Sequence, residues 1–170
     1  MPPPSFTVRV ACLALGAFLA PLAAPAQVAA PAFDGPAAPV LPATVARDEA
    51  GRITVRAVRL DAPLVFDGRL DEDIYQRVQP MSDFIQQEPR EGAPATEKTD
   101  VWVLFDETRL YISARCWDTH PELEVVNERR RDHVNIYQNE NFVAVIDTYY
   151  DRRNSFLFQT NPLGALRDGY

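Results

Sequence analysis

The sequence is poor in the residues and motifs that build many catalytic and metal sites. Its 170 residues include two cysteines, two histidines and a single lysine. It contains no G-x-S-x-G, no H-E-x-x-H and no phosphate-binding glycine-rich loop, so no catalytic constellation is visible in this chain. A formal net charge of −7 argues against nucleic-acid binding, which requires a basic surface.

The cysteines and histidines that are present predict neither a disulfide nor a zinc site. Cys12 lies in an N-terminal apolar run, which leaves Cys116 without an internal partner. Strand alternation predicts that Cys116 points inward as a small buried side chain. His120 and His133 are thirteen residues apart without cysteine neighbours, which indicates loop histidines rather than zinc ligands.

The N-terminal part of the chain predicts an exported protein. Arg9 precedes a 15-residue apolar stretch, and Ala24-Pro25-Ala26 then forms an A-x-A cleavage site, so residues 1–26 are typical of a signal peptide. The apolar stretch is shorter than the roughly 20 residues that a membrane-spanning helix needs. We expect a periplasmic, outer-membrane-associated or extracellular location. Residues 27–51 are predicted to be an extended linker, because alanine and proline make up half of residues 27–50.

Residues 52–170 have the pattern of an antiparallel all-β domain. Apolar and polar side chains alternate in Ile53–Leu60, and two hairpins with short polar turns follow. The hairpins are predicted to join Thr99–Phe105 to Leu110–Trp117 and Asn141–Thr148 to Ser155–Thr160. This spacing predicts a β-sandwich of the immunoglobulin or jelly-roll type.

The predicted sandwich contains little helix and is incomplete. One short helix is expected over Asp71–Val78, with Asp71 as its N-cap. The charged segment 121–133 is predicted to hold a short strand or a helical turn. Only four to six strands precede Tyr170, and a sheet left open there would expose unpaired backbone edges. We therefore expect a domain truncated at its C-terminus.

The aromatic residues of the first hairpin form a candidate saccharide site. Trp102, Tyr111, Arg115 and Trp117 are predicted to share one face of this hairpin. A flat ring can stack on the C–H face of a sugar while polar side chains hydrogen-bond to its hydroxyls. The alternative is that this face is a second core face or a partner-domain interface, which Leu104 on the same side favours.

Acidic residues provide weaker candidate sites. Glu140 and Asp147 are rejected as a glycosidase pair, because seven strand residues separate them by about 23 Å, far beyond the roughly 5–9.5 Å of such pairs. Asp67, Asp71 and Asp118 are weak candidate calcium ligands. A turn followed by a helix N-cap accounts for the acidic segment 67–73 without calcium, so the residues themselves establish no cofactor.

A series of short motifs runs in order through residues 53–170. They are Phe66–Glu72 with Tyr75, Phe84–Gln86, Glu88-Pro89 with Gly92, Glu97–Val103, Leu110–Asp118, Arg130–Asp132, Glu140–Asp147, Asp151–Asn154, and Phe158 with Asn161–Gly164. Jointly they resemble the family 9 carbohydrate-binding modules, in the form found at the N-terminus of secreted bacterial proteins.

The resemblance implies a β-sandwich that binds oligo- or polysaccharides without catalysis. In xylanase-borne members of the wider family it implies aromatic clamping of sugar ends together with bound calcium. It also implies an association with glycoside hydrolysis, since O-glycosyl hydrolases carry these modules. Relatives of this type continue into a C-terminal region that resembles an outer-membrane β-barrel. The alternative function is therefore a structural N-terminal domain that packs on such a barrel and binds no sugar.

Overall fold

The computed structural model describes residues 34–170, which fold into short strands with little helix. The strands are β1 (Val45–Arg47), β2 (Ile53–Val55), β3 (Val58–Arg59), β4 (Thr99–Phe105), β5 (Leu110–Cys116), β6 (Phe142–Ile146), β7 (Phe156–Thr160) and β8 (Leu166–Gly169). The helical elements are α1 (Asp73–Arg77) and two 3-10 turns, Pro121–Leu123 and Val134–Gln138. The all-β class predicted from the sequence is confirmed.

Between residues 34 and 170, no helix is long and apolar enough to cross a membrane. The predicted signal peptide, residues 1–26, and the first part of the predicted linker lie outside the described residues.

The strands form three small sheets. β1 and β2 make an antiparallel hairpin. In the second sheet β4 lies between β3, which runs parallel to it, and β5, which runs antiparallel. In the third sheet β7 lies between β6 and β8, and both pairings are antiparallel. The two hairpins predicted from alternation, β4–β5 and β6–β7, are confirmed, and each strand ends within two residues of its predicted bounds.

One face of the β3-β4-β5 sheet packs against α1 to form the main core. Because alternate strand residues point to opposite faces, Trp102 and Leu104 of β4 reach this core together with Tyr111 of β5. Leu104 has no exposed surface at all. The remaining members of this core come from β3 and from the α1 region: Val58, Ile74, Tyr75 and Val78.

Helix α1 is shorter than predicted, and its N-cap is Glu72 rather than Asp71. The backbone of Glu72 is extended, with φ −65° and ψ 149°, so the first helical turn begins only after it. No side chain caps this helix. The Glu72 carboxylate instead accepts a hydrogen bond from the backbone N–H of Val65 at 2.9 Å, which fixes the preceding segment against the start of the helix.

The region before residue 61 differs from the prediction in two ways. The segment Ile53–Leu60 is divided into β2 and β3 instead of forming one strand. β1 lies within the described part of the predicted linker, and the domain start predicted at residue 52 falls in the turn between β1 and β2. Asp48 holds this turn, because its carboxylate accepts the backbone N–H of Arg52 at 2.9 Å and the Arg52 Nε–H at 2.7 Å.

A buried polar cluster anchors the segment between the two hairpins. Asn139 Oδ1 accepts hydrogen bonds from the backbone N–H groups of Asn127 (2.8 Å) and Glu128 (2.9 Å). Asn161 Nδ2 donates to the backbone carbonyl of Glu128 at 2.7 Å, and Asn161 Oδ1 accepts from the backbone N–H groups of residues 163 and 165. Polar groups therefore replace apolar packing here, since Asn139, Asn161 and Glu128 are all buried.

The Glu128 carboxylate completes this cluster. It lies 2.8 Å from Arg130 Nη2 and 2.8 Å from His133 Nδ1. The Arg130 side-chain hydrogen bonds, helped by the backbone N–H groups of residues 129 and 130, lower the pKa of Glu128 to about 2.

The loop between β6 and β7 folds around the carboxylate of Asp147. One Asp147 oxygen accepts the backbone N–H groups of Tyr149 (3.0 Å) and Asp151 (3.3 Å), and the other accepts that of Arg152 (2.7 Å). Asp151 in turn accepts the backbone N–H groups of residues 153 and 154. Two aspartates therefore determine the shape of this loop.

The β6-β7-β8 sheet lines an open apolar groove of about 710 Å³. The apolar side chains of the groove come from this sheet and from the start of β5: Leu110, Ile112, Phe142, Ala144, Ile146, Phe156, Phe158 and Leu166. Arg131 and Asp168, which form an ion pair, lie among its polar lining residues.

Candidate functional site

The four residues of the predicted saccharide site lie along one hairpin, and the β4–β5 register determines their neighbours. It pairs Trp102 with Ser113, Leu104 with Tyr111, and Asp100 with Arg115. Directly opposed residues of an antiparallel pair project from the same face, so Trp102, Tyr111 and Arg115 share a face as the alternation predicts. Trp117 follows the last residue of β5.

Trp102 and Tyr111 belong to the core. Trp102 is 5% exposed, and its indole N–H donates to the Val78 carbonyl at 3.0 Å. Its ring meets Tyr75 edge to face, with 5.2 Å between the ring centroids. The Tyr111 hydroxyl donates to Asp106, and the Tyr111 ring stacks on Phe66 at 5.8 Å. The second-core alternative therefore describes these two side chains, and they offer little ring surface to a ligand.

Trp117 is the tryptophan that faces solvent. Trp117 is 48% exposed, and its indole Nε1–H donates to Asp100 Oδ2 at 3.2 Å. Two cations lie near its ring: Lys98 Nζ is 5.8 Å and Arg115 Cζ is 5.7 Å from the ring centroid. A ring held in this way can stack on a flat apolar face of a ligand. The cations beside the ring can donate hydrogen bonds to polar groups around that face.

The buried carboxylate of Asp100 orients this surface. Asp100 accepts from the Ser82 hydroxyl, lies 2.8 Å from Lys98 Nζ, and accepts the indole N–H of Trp117. Burial alone would raise the pKa of Asp100, but the hydrogen bonds from Lys98, Ser82 and Trp117 outweigh it and lower this pKa. Asp100 is therefore ionised at neutral pH and holds Lys98 and Trp117 together.

A cleft of about 580 Å³ runs beside β5, between this strand and the segment 64–70. Phe66 is 81% exposed at its wall, and Arg69, Arg109 and Ser113 also line it. Arg115 Nη2 donates to the Leu70 carbonyl at 2.9 Å, which fixes the segment 64–70 near the Trp117 end of the strand. The cleft and the Trp117 surface thus lie along the same strand.

Sequence reasoning missed three residues of this surface: Lys98, Ser82 and Phe66. Lys98 is the only lysine of the chain, and it stands two residues before Asp100 on the same strand side. This spacing places Lys98 on the same side of the strand as Asp100, and from it a position near Trp117 can be predicted. Ser82 and Phe66 reach the site from loops that precede the hairpin, and alternation gives no information about such long-range contacts.

The candidate calcium ligands are not assembled into a site. Asp67 accepts the backbone N–H of Arg69 at 2.9 Å, and Asp118 accepts that of His120 at 2.7 Å. Throughout residues 34–170, no group of three or more histidine, cysteine, aspartate or glutamate residues could hold a metal ion. Asp67 and Asp118 act within their own turns, and Asp71 is exposed.

The expectation that Cys116 is buried is wrong: it is an exposed free thiol. Cys116 does alternate with the core residues as predicted. However, it projects from the other face of the β4–β5 hairpin, at the end of the strand where nothing in the described chain covers it. His120 is exposed, as expected for a loop histidine, whereas His133 contacts the Glu128 carboxylate.

No family model, no curated protein and no solved structure matches this chain. The resemblance to family 9 carbohydrate-binding modules is therefore one of motifs alone.

Proposed function

We propose that this chain is a non-catalytic carbohydrate-binding module of the β-sandwich type, exported and associated with polysaccharide breakdown. The observation that carries the proposal is Trp117, a half-exposed ring whose indole N–H is fixed on a buried carboxylate. The order of family 9 motifs along residues 53–170 supports the same function.

The chemistry of the Trp117 surface suits a sugar. The C–H face of a pyranose stacks on an indole ring, and an orienting hydrogen bond at the ring edge lowers the entropy that the side chain loses on binding. The Arg115 guanidinium and the Lys98 ammonium, both about 6 Å from the ring centre, can donate to hydroxyls around the rim of the sugar. The cleft beside β5 lies along the same strand, and we propose that it receives further units of a bound saccharide chain.

The test is a tryptophan fluorescence titration of the purified protein with xylo-, cello- and malto-oligosaccharides, with and without calcium. We expect a saturable change with at least one series, because Trp117 is the exposed fluorophore while Trp102 is buried. Trp117→Ala should weaken binding at least about tenfold, as measured by calorimetry.

A matched control comes from the second hairpin. Tyr149 is 73% exposed and lies in the loop between β6 and β7, so Tyr149→Ala removes an exposed ring far along the chain from Trp117. Binding that survives Trp117→Ala unchanged, or a folded wild-type protein that responds to none of the three series, would refute the proposal. The second result would favour a structural domain.

A further inference from the structure

Strand β6 pairs on one side only. Within residues 34–170 its sole partner strand is β7. The Asn161 N–H donates to the Ala165 carbonyl, so the odd-numbered residues of β7 bond toward β8 and the even-numbered ones toward β6. By the same alternation, Val143 and Val145 turn their backbone N–H and C=O groups away from β7. These groups form an open edge.

This edge lacks the features that usually prevent strands from associating. β6 contains no charged residue and no proline, and Val143 and Val145 are 39% and 61% exposed. Proteins generally protect exposed edges with charges, coverage or short length. Within residues 34–170, β6 is therefore an unusual edge, because its five residues are neither charged nor covered.

The other outer strands of the two three-stranded sheets each have such a feature. β8 contains Arg167 and Asp168, and Asp132 bonds to the backbone of this strand at Leu166 and Asp168. β3 has only two residues. β5 contains the charged Arg115, whose side chain ties the segment 64–70 to this strand. β6 has none of these features, which makes it an edge on which a further strand can pair.

We propose that a second copy of this chain docks on β6, so that two β6 strands pair antiparallel about a two-fold axis. With Ala144 on the axis, Val143 lies opposite the partner's Val145, and these residues supply the open backbone groups of both strands. Phe142 then lies opposite the partner's Ile146. The strand FVAVI is thus self-complementary in the way that a two-fold interface requires.

The flanking charges agree with this register. Continuing outward, Asn141 lies opposite the partner's Asp147, and Glu140 opposite the partner's Thr148. Like charges directly opposite each other destabilise a strand pair, and this register brings none together. The resulting six-stranded sheet joins the apolar groove faces of the two copies into one surface. Five paired residues bury little area, so the dimer is expected to be weak and to exchange rapidly.

Sedimentation equilibrium of the purified protein tests this proposal. Between about 5 and 500 µM, the range expected for a small interface, the weight-average mass of the wild type should rise from that of one chain toward that of two. Val145→Lys places a charge at the edge and should keep the protein monomeric over this range. Val134→Lys is the control, because Val134 is also well exposed (67%) but lies in a 3-10 turn.

Circular dichroism establishes whether each variant is folded, and Val143→Lys serves as a second edge variant. A wild-type protein that stays monomeric at every concentration would overturn the proposal without recourse to any variant. A dimer that persists in folded Val145→Lys or Val143→Lys, or one that is abolished equally by Val134→Lys, would also overturn it. The sugar titration does not depend on this result, because Trp117 lies on the other hairpin.

Discussion

At the scale of single residues, Trp102 and Trp117 show how position along one hairpin separates two roles. Both indole N–H groups have acceptors, the Val78 carbonyl for Trp102 and the Asp100 carboxylate for Trp117. Trp102 lies mid-strand, where the α1 region covers the sheet, whereas Trp117 lies beyond the end of β5. The same residue type therefore stabilises the core in one case and offers a binding surface in the other.

The thiol of Cys116 should be reactive in the native protein. Because its thiol is exposed, it should react with Ellman's reagent in the native protein at a rate close to that of the urea-unfolded protein. The measurement is made in a Cys12→Ser background, so that one thiol is counted. A rate that is slower by about a hundredfold or more in the native state would show that Cys116 is protected.

The Cys116 result also shows what alternation can predict. It separates the two faces of a strand correctly, and it placed Trp102, Tyr111 and Arg115 together. It does not say which face is covered, since this depends on elements distant in the sequence such as α1. For that reason alternation predicts the shared face of the candidate site but not the burial of Tyr111.

At the scale of elements, the strands that were predicted are the long ones. β4 and β5 have seven residues each and a clear period of two, which fixes their pairing. β1 has three residues in an Ala/Pro-rich segment, and β8 has four that include Arg167, Asp168 and Gly169. Such strands form because a neighbouring strand offers hydrogen bonds to them, which a local pattern cannot reveal.

The polar cluster around Asn161 should contribute measurably to the stability of the fold. Asn161→Ala leaves the Glu128 carbonyl and the backbone N–H groups of residues 163 and 165 without their partner. Because the Glu128 carbonyl and the N–H of residue 165 are buried at these hydrogen bonds, we expect the free energy of unfolding to fall by about 1–3 kcal/mol in urea denaturation. Asn135→Ala, at an exposed position, should change it by less than about 0.5 kcal/mol. Equal effects of the two substitutions would contradict the structural role of Asn161.

At the scale of the whole molecule, two carboxylates should govern stability in acid. The Tyr111 hydroxyl and the backbone N–H groups of the β4–β5 turn lower the pKa of Asp106 to about 2 from 3.8. The contacts described above lower that of Glu128 to about 2 from 4.5. A carboxyl with a lowered folded-state pKa contributes stability that is complete above its unfolded pKa and is lost as the pH falls toward the folded value.

We therefore expect the urea midpoint to be constant near pH 6 and to fall between about pH 5 and pH 2. The double variant Asp106→Asn, Glu128→Gln should be less stable than the wild type at pH 6 and should lose less stability over the acid range. Glu49→Gln, which removes an exposed charge, is the control and should follow the wild type. A double variant with an unchanged acid slope would show that other groups dominate.

The whole-molecule scale is also where sequence reasoning reached least far. The class and the two hairpins follow from local pattern, but the division into three sheets depends on contacts between distant segments. The candidate calcium ligands illustrate the same limit. Asp67 and Asp118 have the correct chemistry, yet each closes its own turn. Composition indicates which groups are available, and only the tertiary arrangement decides which of them meet.

The loop between β6 and β7 has a consequence for how this protein can change over evolution. Its shape depends on the carboxylates of Asp147 and Asp151, which bind main-chain N–H groups that every residue except proline possesses. The side chains of Tyr149, Arg152 and Arg153 are exposed and are not needed for these bonds. Evolution, or a designed library, can therefore exchange the Tyr149 and Arg153 side chains and alter the surface of the loop while its conformation is kept. Arg152 is less free to change, because its backbone has φ 58° and its side chain pairs with Asp34.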